Sequence, residues 1–208
     1  MSSPTVALPA PRTGTGTAWI GVAIGLVLVL SAVILQVQGF TTPSSVGDVP
    51  AGGSGGVGRT SADDVPHRLA IRTIGVDAPV VPVAIGAGEL GVPEDGHLLG
   101  WWRDGAAPAA AVGTVVLAGH VDTKANGPGA LYRLETLVPG DEISVGATSG
   151  PASYRVVARH AYRKGRLPAD IFSADGPARL VLITCGGAFD HSTRTYAYNV
   201  VVYAAPSA

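Results

Sequence analysis

The sequence predicts an all-β domain, a small barrel or sandwich, joined to one N-terminal transmembrane helix. From about residue 67 to residue 205, seven to nine short apolar runs are separated by turns containing Gly and Pro, which is typical of such folds. Residues 18–35 form an unbroken run of 18 uncharged residues. A Gly/Ser/Pro-rich stretch, residues 39–66, lies between the two and is predicted to be a flexible linker.

The N-terminal region is predicted to anchor the chain in a membrane. Residues 1–17 carry one charged side chain, Arg12, and are rich in Ser, Thr, Pro and Gly, which predicts a disordered tail. Residues 18–38 follow, and at about 1.5 Å per residue they cross a hydrocarbon core of about 30 Å. The apolar run is long for a signal peptide and ends without a small-residue cleavage site, which favours an uncleaved anchor. It also lacks the polar face of a buried core helix.

The basic residues predict the orientation of this anchor. Arg12 and the α-amino group precede the span, and the next basic residue after it is Arg59. The positive-inside rule therefore predicts a single-pass protein of the cell membrane with a cytoplasmic N-terminus. The domain formed by residues 67–208 is then extracytoplasmic.

The composition excludes several classes of function. A net charge of −1 with only 14 % charged residues argues against a basic surface for nucleic acid. The single cysteine excludes an intrachain disulfide and a zinc site built from cysteines. No spacing of His, Asp or Glu matches known ligand patterns, so we expect neither a metal nor another cofactor.

The strands of the domain are predicted in order from its apolar runs. In the second run, Pro79 and Pro82 restrict pairing to an edge or a bend. In the long sixth run, Tyr154, Val156, Ala158 and His160 are predicted to share one face. Residues 131–137 have helical spacing and predict one or two helical turns. The predicted strands are residues 68–71, 76–85, 98–102, 114–118, 142–145, 152–163, 180–185 and 199–204.

The only cysteine, Cys185, ends the apolar strand at residues 180–185. Period-2 alternation places it on one face with Val181 and Ile183, and places Thr184 on the opposite face. Gly186 and Gly187 follow and leave room for another backbone beside the sulfur, as in a substrate groove. A lone thiol at such a strand end is either a nucleophile or a small core hydrophobe.

A catalytic cysteine needs partners, and the sequence offers several. An ordinary thiol has a pKa of about 8.5 and is mostly protonated at neutral pH, so it requires a base or a nearby cation. His120 follows the strand at residues 114–118 and could serve, or could instead cap a turn with Asp122. Arg194 is the only arginine after Cys185 and is either an oxyanion donor or a solvated loop charge. The competing bases are His67, His97, His160 and His191.

Three segments of the chain resemble the catalytic segments of a known family. They are GTVVLAGHVD (residues 113–122), LVLITCGGAFD (residues 180–190) and TYAYNVVVYA (residues 195–204). They resemble the sortases, membrane-anchored cysteine transpeptidases of Gram-positive surfaces, and most closely the class F or E/F-like group. The stretches RLAIRTIGVDAPV, VPEDGHLLGWWRDGAAP and LVPGDEISV are also similar to that group.

The resemblance implies a fold and a set of site residues. The fold is an eight-stranded sortase β-barrel with short helical turns. Cys185 matches the family nucleophile, His120 the family histidine, and Thr184 the residue that helps to shape the substrate groove. Sortases carry an arginine about twelve or thirteen residues after the cysteine, where this chain has Ala197 and Tyr198. The role then falls to Arg194, nine residues after Cys185, with Tyr198 or Asn199 as alternatives.

The resemblance also implies a reaction. The cysteine cleaves an LPxTG-like C-terminal sorting signal of a secreted protein through a thioester. An amine of a peptidoglycan precursor or of another protein then resolves the thioester. The alternatives are a thiol peptidase that mainly hydrolyses its substrate and a tethered, non-catalytic β-domain with an inert cysteine. An L,D-transpeptidase fits less well, because Cys185-Gly-Gly-Ala-Phe lacks the context of that cysteine.

Overall fold

The computed structural model describes residues 42–49, 64–86 and 88–207. The predicted tail and membrane span lie outside the described residues. Within the described part of the chain, no helix has the length and apolar character needed to cross a bilayer.

The described residues form an all-β structure with very short helices. The strands are β1 (Pro66–Ile71), β2 (Val76–Val83), β3 (Ile85–Gly86), β4 (Glu89–Leu90), β5 (Leu99–Trp102), β6 (Thr114–Ala118), β7 (Asp122–Thr123), β8 (Gly127–Pro128), β9 (Glu142–Ala147), β10 (Gly150–Arg163), β11 (Arg179–Asp190) and β12 (Thr195–Pro206). The 3-10 helices are η1 (Arg72–Ile74), η2 (Leu134–Thr136) and η3 (Ala169–Phe172). The helical turn predicted at residues 131–137 is thus present as η2.

Eight of these strands close into a barrel in the order β1-β2-β5-β6-β11-β12-β10-β9. The all-β, eight-stranded barrel expected from the sequence is confirmed. β2 pairs with β1 through residues 76–79 and with β5 through residues 80–83, so each half has one partner, as its two prolines require. The two pairs β3–β4 and β7–β8 form separate small sheets.

Strand β11 is buried on both faces, which explains its continuous apolar sequence. Leu180 and Leu182 point into the barrel core, which also contains Val200 and Val202 of β12. On the opposite face, Val181 and Ile183 belong to a second cluster, the outer cluster. Its other buried members are Trp102, Val116, Ala118, Ala158, Ile171, Val201 and Tyr203. The alternation predicted for residues 180–183 is confirmed.

The face predicted for β10 is correct only in its first half. Tyr154 and Val156 lie in the barrel core, whereas Ala158 belongs to the outer cluster. A β-bulge causes the switch: Val156 pairs with Ala204 and Ala158 with Tyr203, so two steps on β10 match one on β12. An extra residue reverses the alternation of side chains, and nothing in the sequence marks its position.

Residues 42–49 lie along β10. Val46 exchanges two backbone hydrogen bonds of 2.7 Å with Arg159. The Arg159 guanidinium is buried and donates to the Ser44 hydroxyl at 2.9 Å and to the carbonyl oxygen of Leu137. β9 pairs with β10 only up to Arg155, so this segment covers the edge that β9 leaves open.

We expect the substitution Leu182→Ala to destabilise the barrel by about 2–5 kcal/mol, because it opens a cavity in a fully buried position. Urea unfolding followed by circular dichroism measures the change. Val138→Ala is the matched control, since this side chain is 51 % exposed and its removal should change the free energy of unfolding by less than about 0.5 kcal/mol. Equal effects of the two substitutions would contradict the assignment of the core.

Candidate active site

The two predicted catalytic segments meet because β6 and β11 are neighbouring parallel strands. Their register pairs Ala118 with Ile183, so each strand delivers its next residues to the same end of the barrel. The Gly119 N–H donates to the carbonyl oxygen of Ile183 at 3.1 Å, and the Thr184 hydroxyl donates to the Gly119 carbonyl oxygen at 2.8 Å. These bonds fix His120 and Cys185, the residues that follow, on adjacent strand ends.

Cys185 is half-buried at the junction of three hollows. The first, of about 270 Å³, is lined by His120, Cys185 and Arg194, so all three predicted catalytic residues face one space. The second, of about 230 Å³, is lined by Thr184, Cys185 and Gly186. The third, of about 510 Å³, is a groove that is also lined by His120 and Cys185. A larger hollow of about 710 Å³ adjoins Arg194 but does not reach Cys185.

Of the competing histidines, His120 is the one that shares these spaces with the thiol. None of the other histidines, all of which lie in the described residues, lines any of these three hollows. His120 Nε2 lies 3.0 Å from the carbonyl oxygen of Pro93. A carbonyl can only accept, so this bond requires a proton on Nε2 and leaves Nδ1 as the atom that exchanges a proton in neutral imidazole. His160 instead bonds to the carbonyl oxygen of Gly47 at 3.0 Å.

Arg194 lies in the short loop between β11 and β12 and is exposed. Its backbone φ of 55° is left-handed, which is uncommon for a residue with a side chain. Asp190 stabilises the loop: its Oδ1 accepts from the Ser192 hydroxyl at 2.7 Å and from the Ser192 N–H at 2.8 Å. These bonds, chiefly that of the Ser192 hydroxyl, together with those from Thr193, lower the pKa of Asp190 to about 2.

Tyr196 joins two walls of the 270 Å³ hollow. Its hydroxyl donates to Asp122 Oδ2 at 2.7 Å, which connects β12 to the chain just after His120. Partial burial, and then the bond to the Asp122 carboxylate, raise the pKa of Tyr196 to about 12. Asp122 is therefore the acceptor for Tyr196, and the two residues fix the space that His120 faces.

Gly186 and Gly187, which follow Cys185, allow close packing of β11 against its neighbours as well as access to the sulfur. A Cβ atom on Gly186 would lie 2.6 Å from Val200 Cγ2. Gly187 has a φ of +76°, and a Cβ atom there would lie 2.7 Å from the ring of Tyr198. The Pro43 ring of the segment along β10 also approaches both glycines, at 3.8 and 3.5 Å from those Cβ positions. Only glycine allows β11 to pack this closely against its neighbours.

One cation of the site was missed from the sequence. Lys164 Nζ lies 3.1 Å from Cys185 Sγ. Lys164 directly follows β10, in the sequence Arg163-Lys164-Gly165-Arg166, which is indistinguishable from an ordinary charged loop. Its position becomes clear only when the barrel order places β12 alone between β10 and β11.

Residues 69–207 match the family model of the Sortase domain, well over half of the chain. The chain belongs to the sortase family. It is therefore a cysteine transpeptidase, as the sequence segments around Cys185 and His120 suggested. No protein with a curated description matches the chain.

Solved sortase structures share the fold of this sortase. Sortase C1 from Streptococcus agalactiae is 17 % identical, with a TM-score of 0.53 over 68 % of this chain and 67 % of that chain. Sortase A from Corynebacterium diphtheriae, a lid mutant, is 18 % identical, with a TM-score of 0.52 over 69 % and 70 % of the two chains. Sortase C from Clostridium perfringens is 14 % identical, with a TM-score of 0.51 over 69 % and 71 %. The barrel is thus a sortase barrel.

We expect Thr184→Val to reduce activity more than its modest effect on stability would suggest. The change keeps the shape but removes the bond to the Gly119 carbonyl, which costs about 1–3 kcal/mol when the acceptor stays buried. Since this bond fixes the two strand ends, turnover should fall by about tenfold or more through misplacement of the reacting groups. Peptide cleavage and urea unfolding are measured together, and Thr184→Ser, which restores the hydroxyl, is the control. Full activity of Thr184→Val would contradict this role.

We expect Ser192→Ala to raise the pKa of Asp190 from about 2 toward the usual value of about 3.9. Carboxyl chemical shifts followed by NMR between acidic and neutral pH measure it directly. Because the folded-state pKa lies below the unfolded one, the bonds of Asp190 stabilise the folded protein fully above about pH 4. This contribution is lost as the pH falls through about 2. An unchanged titration in the variant would show that the Ser192 hydroxyl is not the cause.

Proposed function

We propose that this sortase is a membrane-anchored, class F-like transpeptidase that acts on an LPxTG-like C-terminal sorting signal. The observation that carries the proposal is the joint position of Cys185 and His120 at the edge of the 510 Å³ groove. Leu90, Leu167 and Phe172 contribute apolar walls to this groove, which suits the Leu-Pro part of such a signal. Class F is favoured by the segments around His120 and Cys185.

The first half of the reaction forms a thioester. His120 takes the thiol proton, and the Cys185 sulfur forms a bond to the Thr carbonyl carbon of the signal, whose oxygen takes up the negative charge. Arg194, which faces the same hollow as the thiol, is the proposed oxyanion donor from the β11–β12 loop. The C–N bond to Gly then breaks, and His120 returns its proton to the leaving amine.

The second half releases the product. An amine of a peptidoglycan precursor or another protein attacks the thioester carbon, and His120 accepts its proton. The C–S bond breaks and the sulfur leaves as a thiolate. Water can replace the amine in this step, which would make the protein a hydrolase. Three sides of Cys185 open into hollows, so the amine can approach without displacing the signal from its groove.

The anchor and the location belong to this proposal. Residues 18–38 would hold the enzyme in the cell membrane with its N-terminus in the cytoplasm and its domain outside. The substrates are then secreted proteins, which reach the outer face of the membrane, where the catalytic domain would lie. Fractionation of cells and protease treatment of intact cells test the arrangement. Recovery of the chain in the soluble cytoplasmic fraction would exclude it.

We expect Cys185→Ala to abolish cleavage of an LPxTG-like peptide by the full chain, since no other thiol exists. His120→Ala should lower turnover by about 10²–10⁴-fold, because it removes the proton-transfer group. His160→Gln is the control and should retain activity, since His160 shares no hollow with Cys185. Mass spectrometry of the products, with and without an added amine, separates the two reactions. Cleavage by Cys185→Ala would disprove the assignment, and only free acid in the presence of amine would favour the hydrolase.

A further inference from the structure

We propose that Lys164 is a catalytic residue whose ammonium group stabilises the Cys185 thiolate. The inference rests on the proposed function of Cys185 as the nucleophile. Lys164 Nζ lies 3.1 Å from Cys185 Sγ, within hydrogen-bonding distance for a sulfur acceptor. An ammonium group has only donors, so the sulfur accepts, and a thiolate accepts far more strongly than a thiol.

The backbone positions Lys164 for this contact. The N–H of Lys164 donates to the carbonyl oxygen of Ala197 at 3.1 Å, and the preceding Arg163 pairs with Tyr198. Cys185 pairs with Asn199 on the other side of β12. Neighbouring strands lie about 4.8 Å apart, so Lys164 and Cys185 are separated by about two strand spacings, which only a long side chain spans. Ala197, the residue of β12 that accepts the bond from the Lys164 N–H, lies near the start of the strand and has a small side chain.

Other cations near the site have different positions. The Arg163 guanidinium lies 5.7 Å from the centre of the Tyr198 ring, in a cation–π contact. Arg194 lines the 270 Å³ hollow from the β11–β12 loop and makes no hydrogen bond to the sulfur in the described residues. Lys164 is therefore the cation in contact with the nucleophile, and Arg194 is free to act on the oxyanion.

The charges around the thiol explain why this contact matters. The hollow on the His120 side is also lined by Asp122, Lys124, Arg194 and Tyr196. The hollow beside η2 is lined by Tyr132, Arg133 and Glu135, and the groove by Glu89. Besides His120 and Lys164, these walls therefore carry three carboxylates and three cations, which balance at neutral pH. Lys164 provides the excess positive charge, and it does so in direct contact with the sulfur.

The role of Lys164 in the reaction is electrostatic. His120 takes the proton of the thiol and later delivers it to the leaving amine, while Lys164 keeps its protons throughout. As the sulfur forms its bond to the carbonyl carbon, the negative charge moves from the sulfur to the carbonyl oxygen, for which Arg194 is the proposed donor. When the thioester breaks, the departing thiolate returns to the same ammonium.

Alkylation of the thiol tests this role without any substrate. Cys185 is the only cysteine, so alkylation of the full chain by iodoacetamide, which forms a C–S bond and releases iodide, reports on this sulfur alone. We expect Lys164→Met to shift the pH–rate profile of alkylation to higher pH and to slow the reaction at neutral pH by about tenfold or more, since it removes an adjacent opposite charge. Lys164→Arg should retain most of the reactivity.

The matched control is Arg166→Met, which removes one positive charge from the same exposed loop, two residues away. Its profile should coincide with that of the unmodified sequence. The proposal would be overturned if the pH–rate profile of Lys164→Met coincided with that of the unmodified sequence. It would also be overturned if both variants shifted equally, which would indicate a general surface-charge effect. Lys164 is exposed, so all variants should fold, and circular dichroism verifies this.

Turnover of the sorting-signal peptide completes the test. Lys164→Met should lower kcat/KM by about tenfold or more, and Lys164→Arg should restore most of it, because arginine keeps the charge but cannot give up a proton. If Lys164→Arg is as inactive as Lys164→Met, the electrostatic role is wrong. If alkylation depends on Lys164 but the peptide is not cleaved by the unmodified chain, the proposed substrate fails while the role of Lys164 at the sulfur stands.

Discussion

The parallel pairing of β6 with β11 is the constraint on which the site depends. Side chains secure this pair at both ends. Near its start, the buried Arg179 donates through Nε to the Thr114 hydroxyl at 3.0 Å. At its end, the Thr184 hydroxyl reaches the Gly119 carbonyl. A slip of one residue would turn each side chain of β11 to the opposite face and would break both of these bonds, so they specify the register. The position of Cys185 beside His120 follows from that register.

Burial on both faces also explains the loop that covers β11. The apolar side chains of the outer cluster must be shielded from water. The chain between β10 and β11 shields them with Ile171 and Phe172 of η3. Arg179 holds this cover through Asp170, whose Oδ2 lies 3.1 Å from Nη2. The same connection begins with Lys164 and contributes Leu167 to the groove. One loop therefore completes the core, forms a wall of the groove and brings the lysine to the sulfur.

The sequence predicted those features that depend on local patterns, and missed those that depend on the order of strands in the barrel. Apolar runs marked the strands, and the Gly-His and Thr-Cys strand ends marked His120 and Cys185. The bulge at Val156 and Ala158 has no local signal, because it is defined by the register of β10 against β12, which is distant in sequence. Lys164 was missed for a related reason: its contact spans 21 positions of sequence and requires β12 to lie between two other strands.

Two cations from different elements can divide the electrostatic work at this site. Arg194, which has a left-handed φ, lies in the loop where Asp190 accepts hydrogen bonds from Ser192, whereas Lys164 directly follows β10. A thiolate carries its charge on sulfur, but the tetrahedral intermediate carries it on an oxygen bonded to the adjacent carbon. A single fixed cation cannot be optimal for both positions, since Coulomb energy falls with distance. A lysine at the sulfur and an arginine at the oxyanion would stabilise the two states separately, and the lysine contact depends on the strand order that places β12 between β10 and β11.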